Sequence, residues 1–411
     1  MSPFARPLLG LVVLLGLLRP AAADVISDWN EKVISLAIAR GWGPPITERL
    51  LDMTHLAIFD AVNAVERGYR SYLMNFAVTA PTSKEAAAAS AAANVLVGVD
   101  PSAAKDAKIA LAASLANIPE GTPKQNGIEL GEAVAAKMLA WRVGDGIAAS
   151  DTYRPRTSPG VYVSTAPVLV PQWPGVKPFA LKTGDQMRPG SPPALTSKEW
   201  ADDYNEIKEL GSRNSVKRSA RQTEDARFWL AVDGRVYYPV IRTLAVNHKL
   251  SLLDSARLFA LTAVARNDAL IAVFDAKYHY NFWRPVTAIR NGDIDDNPAT
   301  ERDPSWLPID VTPPFPEYPC AHCIVSASLA SVVETVLESA DLPDVSIESP
   351  TLPGVVHRWT NVRDFCREIA EARIWAGFHF RFSTRVGQDM GLKTGQYVTR
   401  SILQPTAKST R

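Results

Sequence analysis

Apolar residues recur at helical spacing along almost the whole chain, while the strict alternation of a half-buried strand is scarce. Between Trp29 and Tyr69, the residues Ile34, Leu36, Ile38, then Leu50, Leu51, Met53, Leu56, Ile58, Phe59, Val62 and Val65 mark amphipathic helices broken at Gly41 to Pro45. Residues 86–97 are so rich in alanine that their intrinsic preference is helix, and 106–116 and 126–143 carry the same pattern. From 150 to 193 the periodicity collapses into a stretch punctuated by Pro155, Pro159, Pro167, Pro171, Pro174, Pro178 and Pro189. A structureless insert of that length inside a compact protein is usually functional or packed over a surface. Helical patterning resumes at 197–210, 224–230 and 251–277. These features predict an all-α protein with an N-terminal helical half (24–149), a Pro/Gly-rich connecting segment (150–196), a C-terminal half (197–403) and a flexible tail (404–411).

The first residues carry a different signal. Arg6 supplies a positive start, Leu8 to Leu18 an apolar run, and Ala21-Ala22-Ala23 a small-residue cleavage site before Asp24. This order predicts a signal peptide at 1–23 and a secreted or periplasmic protein, with no stable membrane span once the leader is cleaved. The most apolar later stretch, Leu258 to Ala276, is interrupted by Arg266, Asn267, Asp268 and Asp275. Lysine and arginine number 44 against 43 aspartate and glutamate, with the signs evenly mixed. That balance leaves no electrostatic footprint for nucleic acid.

Three motifs in the C-terminal half carry chemistry. In Lys277-Tyr-His-Tyr-Asn-Phe-Trp-Arg284-Pro285, the lysine and arginine lie two helical turns apart and share a face. Pro285 disfavours helical geometry at Arg284, so the helix is expected to end there. Taken alone, such a pair is more often a solvated face, and Tyr278, Tyr280, Phe282 and Trp283 are more often core than contacts. In Pro313-Pro-Phe-Pro-Glu-Tyr-Pro319-Cys-Ala-His322, a proline-rigid approach releases into a helix whose first N–H groups are free to meet an anion. His322, in that first turn, is an acid–base candidate. In Arg373-Ile-Trp-Ala-Gly-Phe-His379, the arginine and histidine lie about 120° apart on an ideal helix, a gap for arginine's reach to bridge. Arginine forks and a lysine point charge suit a tetrahedral oxyanion, each charge-assisted bond being worth roughly 1.5 to 3 kcal/mol.

In this order and at these spacings the motifs resemble those of the vanadium-dependent haloperoxidase and type 2 phosphatidic acid phosphatase superfamily, whose pattern is Lys, six residues, Arg-Pro; Pro-Ser-Gly-His; and Ser-Arg, five residues, His. The resemblance is closer to the soluble, secreted haloperoxidase branch. It takes in Ala57-Ile-Phe-Asp60-Ala-Val-Asn63 and Gln186-Met-Arg-Pro-Gly-Ser-Pro-Pro193, and so covers most of the chain after the leader. It implies a fold of two four-helix bundles. It also implies a vanadate cofactor, or phosphate in the same site, with Lys277, Arg284 and Arg373 on the oxyanion and Cys320 and Ala321 beside it. His379 would bond vanadium, or attack phosphorus in a phosphatase, while His322 would be the acid–base group. The implied substrates are hydrogen peroxide and halide, or a phosphomonoester, and Phe315 matches the aromatic of a chloroperoxidase-type halide pocket.

Three departures from that pattern stand out. Cys320-Ala321 replaces Ser-Gly, which exchanges a strong hydroxyl donor for a weak thiol. Ser383 stands where lipid phosphatases carry Asp. No carboxylate is evident to orient His322. Cys320, Cys323 and Cys366 are an odd set, so at least one is unpaired within the chain, and a bond from Cys320 or Cys323 to Cys366 would tie the second motif to the third. Three functions therefore compete: a haloperoxidase-type oxidoreductase, a phosphoric monoester hydrolase with His379 as nucleophile, and a catalytically impaired oxyanion-binding scaffold.

Overall fold

The computed structural model of the protein describes residues 24–164 and 166–406; the signal peptide expected at 1–23 and residues 407–411 lie outside the described residues. Thirteen α-helices carry the fold among these residues. The N-terminal set is α1 (Val25–Ala39), α2 (Pro44–Glu66), α3 (Lys84–Val99), α4 (Ala104–Ala116) and α5 (Thr122–Trp141). It continues with α6 (Lys198–Leu210), α7 (Ala220–Phe228), α8 (Tyr238–Asn247), α9 (Leu252–Tyr280) and the short α10 (Pro285–Arg290). The last three are α11 (Ala321–Leu337), α12 (Val362–Trp375) and α13 (Arg381–Ser401). The fold is all-α as expected, with one antiparallel hairpin, β1 (Ser346–Ser349) and β2 (Leu352–Arg358), that the sequence patterning did not signal.

The long helix α9 is the spine. It is buried along nearly its whole length, so its apolar residues run all round rather than in a stripe. On one side it packs with α2, against which α3 and α5 lie; on the other it packs with α11 and α13, and α12 covers α11. Both groups are helical bundles, and they share this one member. Side-chain caps at Asp24, Ser83, Ser197, Ser219, Ser251 and Asn361 start the helices about where the polar punctuation places them.

Close backbone approach fixes α11 against α13. Gly387, Gly391 and Gly395, spaced four apart, lie on one face of α13 and meet α11. A Cβ at Gly387 would fall 2.6 Å from the carbonyl oxygen of Cys320, so the absence of a side chain sets the position of the second motif.

Among its described residues the connecting segment forms no long element, only single 3-10 turns at Trp173–Gly175 and Gly184–Met187. It is fastened to α9 instead: the Asp268 carboxylate accepts from the N–H groups of Phe179, Ala180 and Leu181, each at 2.7 Å, and Arg188 grips Asp275 with two bonds. At the other end of the chain, Gln404 O accepts from Arg70 N and Thr406 N bonds to Gly68 O. No helix among the described residues is long and apolar enough to cross a membrane.

Candidate functional site

Lys277, Arg284, Arg373, His322 and His379 meet at one place, while His279 of the first motif is exposed and lies apart from it. Lys277 sits in the last turn of α9, which ends at Tyr280 rather than at Arg284, with Asn281 as a left-handed cap. The chain then turns so that Arg284 becomes the N-cap of α10, and its guanidinium points inward. The pair is not solvated, since Lys277 and Arg284 are 0% and 1% exposed. Tyr318, Phe282 and Trp283 pack with Trp200, Phe380 and Phe382 in an aromatic cluster beside the site, as core residues.

Arg373 and His379 do not share a helix. The third motif breaks after Trp375, where Gly377 takes φ 80, and His379 lies in the short link to α13. A left-handed backbone is cheap only for glycine, so Gly377 turns the chain and folds His379 back toward Arg373. The helical-face argument therefore fails at this motif, and the break is what brings the two side chains to one pocket.

The three cations meet backbone oxygens and aromatic faces. Lys277 Nζ donates to the carbonyls of Pro316 and Glu317 at 3.0 and 2.7 Å. Arg284 donates from Nε to Phe315 O at 2.9 Å and from Nη1 to Phe378 O at 3.1 Å, and Arg373 Nη1 donates to Trp229 O at 2.6 Å. Phe315 lies under both Lys277 and Arg284, at 5.1 and 4.8 Å from its ring centre. None of the three forms an ion pair with a carboxylate among the described residues. Arg284 Nη2 and Arg373 Nε, both buried, have no hydrogen-bond partner. Burial, reinforced by the neighbouring Arg284, pulls Lys277 well below the ordinary amine range, and burial lowers Arg284 to about 10.

A carboxylate does enter the site, at the other histidine from the one expected. Glu317 Oε1 lies 2.7 Å from His379 Nδ1 and also accepts from Phe380 N at 3.2 Å. Nδ1 therefore carries the proton, and the Nε2 lone pair is left to accept from Arg284 Nη1 at 3.3 Å. His322 Nε2 meets the carbonyl of Ala231 at 3.3 Å, so a backbone oxygen orients it. Burial first, then the surrounding cations, hold both histidines well below their usual range. Burial pushes Glu317 up to about 7, while Lys277 and Arg284 pull it down.

The segment 229–231 that supplies two of these carbonyls is itself braced. Trp229 Nε1 donates to Glu368 Oε1 at 2.9 Å, and the same carboxylate holds His357 Nδ1 and Trp359 Nε1. Glu368 and Arg373 are both on α12, so one helix carries a cation of the pocket and the brace behind its wall.

Cys320 is the N-cap of α11, its sulfur accepting from Cys323 N at 3.3 Å. The three cysteines are free thiols, and the contact among them is Cys320 to Cys323 at 2.6 Å, so no bridge to Cys366 ties the motifs. Ala321 begins the helix, whose first N–H groups lack intrahelical partners by position. Above these residues opens a cavity of about 490 Å³ whose walls are mostly apolar, including Trp42, Ile46, Val170, Phe274 and Phe315, and whose lining also includes His322, Arg373 and His379. Val170 takes φ 45, a strained conformation for a branched residue, at this wall.

Comparison with known proteins agrees with this picture. Residues 257–407 match the family profile described as the VCPO second helical-bundle domain. Vanadium chloroperoxidase of Curvularia inaequalis is 27% identical, over 86% of this chain and 76% of that protein. Among solved structures, the first bacterial vanadium-dependent iodoperoxidase superposes with a TM-score of 0.77 at 23% identity, covering 94% of this chain and 98% of that one. The holo-type bacterial vanadium-dependent chloroperoxidase superposes with a TM-score of 0.68 at 16% identity, covering 87% and 92%. At those identities the structural likenesses are likenesses of fold.

Proposed function

Because this chain belongs to the vanadium haloperoxidase and type 2 phosphatidic acid phosphatase superfamily, we propose that its buried cations hold vanadate and that it is a haloperoxidase-type oxidoreductase acting on hydrogen peroxide and a halide. One observation carries the reading. Among the described residues none of the three buried cations forms an ion pair, the one carboxylate near them, Glu317, is bonded to His379, and two of their guanidinium donors, Arg284 Nη2 and Arg373 Nε, are orphaned. Buried donors are rarely left unmet, and a tetrahedral oxyanion offers acceptors in the number and charge these groups need.

Lys277, Arg284 and Arg373 would neutralise the oxyanion, and the first N–H groups of α11 would add donors beside Cys320 and Ala321. His379, neutral and with its Nδ1 proton committed to Glu317, presents Nε2 as the ligand to vanadium. When bound, vanadate supplies a Lewis-acidic centre that activates peroxide toward attack by halide. His322 has its Nε2 hydrogen on Ala231 O, which leaves Nδ1 as the atom that takes the proton of the incoming peroxide. The apolar cavity walls limit water, and Phe315 would line the path of the halide. The leader pattern at 1–23 supports a secreted or periplasmic protein.

The test is vanadate-reconstituted bromination run beside p-nitrophenyl phosphate hydrolysis on the purified protein, with vanadium content measured in parallel. His379→Ala is expected to lose vanadium. His322→Ala is expected to keep it and lose turnover by about 10² to 10⁴-fold, the usual contribution of acid–base help. Hydrolysis without bromination would transfer the site to phosphomonoesters, and equal vanadium loss in both variants would end the division of labour between the histidines.

A further inference from the structure

The oxyanion reading sets Cys320 beside the pocket and gives Cys323 no task, yet the two are built as a pair. They occupy the N-cap and third positions of α11, their sulfurs are 2.6 Å apart, and both are fully buried. Cys-X-X-Cys at a helix start is the arrangement in which the first thiol is activated and the second lies within reach of it. Here Arg373 and Lys277 add positive field to that of the helix end. The cavity of about 490 Å³ reaches the first turn of this helix, with Ala321, His322 and Val325 in its lining. Cys366 lacks these features: it lies on α12, and burial pushes its thiol up to about 12.

We propose that Cys320 and Cys323 are a peroxide-reducing dithiol, with Cys320 attacking and Cys323 resolving. The Cys320 thiolate attacks one oxygen of a hydroperoxide; an S–O bond forms, the O–O bond breaks, and hydroxide or alkoxide leaves and takes up a proton. The Cys323 sulfur then displaces the hydroxyl from the sulfenic acid, so that an S–S bond forms and water departs with the Cys323 proton. Two thiols lose two electrons and the peroxide gains them. An external thiol reductant restores the pair. The disulfide removes the S–H beside the oxyanion pocket, so the oxidised protein holds an oxyanion less tightly than the reduced one. The inference rests on the proposed function only for the entry of peroxide to the pocket; it needs no vanadate.

Vanadium-free full-length protein, purified under reductant, is treated with stoichiometric hydrogen peroxide, alkylated and mapped by peptide mass spectrometry. The expected product is a Cys320–Cys323 bridge, reopened by dithiothreitol, with Cys366 alkylated. In Cys323→Ser, a sulfenic acid at Cys320 should be trapped by dimedone, and in Cys320→Ser neither bridge nor adduct should form. Inorganic phosphate in the pocket should slow the bridging of the wild type. Overturning results are a Cys320 that stays alkylatable after peroxide, a bridge from Cys366 instead, or a Cys320–Cys323 bridge that resists dithiothreitol. The wild-type map decides even if a variant fails to fold, and since vanadate is absent its outcome is independent of vanadate binding.

Discussion

Arg266 and Lys277 lie on the same helix, about three turns apart, and both are buried, yet the fold treats them in opposite ways. Arg266 donates from Nη2 and Nε to Glu48 Oε1 at 2.5 and 3.2 Å, and the Tyr238 hydroxyl completes the carboxylate at 3.0 Å. Its guanidinium borders the same cavity, but its charge is answered within the protein. Lys277, Arg284 and Arg373 form no ion pair: they meet carbonyl oxygens, the Phe315 and Phe378 faces and, from Arg284, His379 Nε2, with Glu317 the one carboxylate that acts on Lys277 and Arg284. A buried ion without a counter-charge costs several kcal/mol, so a fold that sets three cations around a single carboxylate is one whose balance is completed by something from outside. The lesson is that burial of charge does not identify a site; unanswered burial does.

Removing the answer should be the costliest change. Glu48→Ala leaves Arg266 buried and unpaired, and chemical denaturation is expected to show a loss of about 3 to 5 kcal/mol of stability. If the loss is below ~1 kcal/mol, the two regions are not different in kind. The converse change sharpens the contrast. Arg373→Met removes a charge that nothing in the protein answers, so the anion-free protein should be no less stable, while vanadate affinity falls by roughly 1.5 to 3 kcal/mol in calorimetric titration.

The histidines extend the comparison to pH. His55, on α2 near Glu48, is held down to about 3 by burial alone, with Asn30 Nδ2 2.9 Å from its Nε2. Its pKa is about 6.5 when unfolded, so between about 6.5 and 3 the unfolded chain binds one more proton and stability falls by about 1.4 kcal/mol per pH unit as the medium is acidified. Asp60 and Asp268, raised to about 6 by burial, act in the opposite sense over part of that range. The difference between wild type and His55→Gln isolates the histidine: the variant should lose that acid-side slope, and the slope should not respond to phosphate. An equal response to phosphate would couple the two regions.

Much of this was legible before the structure. The helices α1 to α7, α9 and α11 carry their apolar spacing openly, α1, α3, α6, α7 and α9 show polar caps as well, and the cations and histidines of the site stand in named motifs. What was hidden has a physical reason in each case. Glu317 was visible in its motif, but nothing in its spacing says which of two histidines it holds. The carbonyls of Trp229, Ala231 and Phe315 leave no mark in a sequence, because every residue carries one. Gly377 reads as a tolerated helical glycine until its φ is known, and that single turn separates a helix-face argument from the pocket that forms. The β hairpin is short, and its register breaks at Glu348 and Ser349, so no clean alternation announces it.

The central claim is that the cations of the second region are held for a tetrahedral oxyanion. Its most direct test is the thermal unfolding of vanadium-free protein titrated with phosphate and with vanadate, against chloride at equal ionic strength. Ligand that binds only the folded state adds about 2.7 kcal/mol at a hundredfold excess over Kd. The account predicts a midpoint that climbs with the logarithm of either oxyanion, does so in Glu48→Ala as in the wild type, and climbs much less in Arg373→Met. A midpoint that follows ionic strength alone, or an Arg373→Met protein that responds like the wild type, would contradict it.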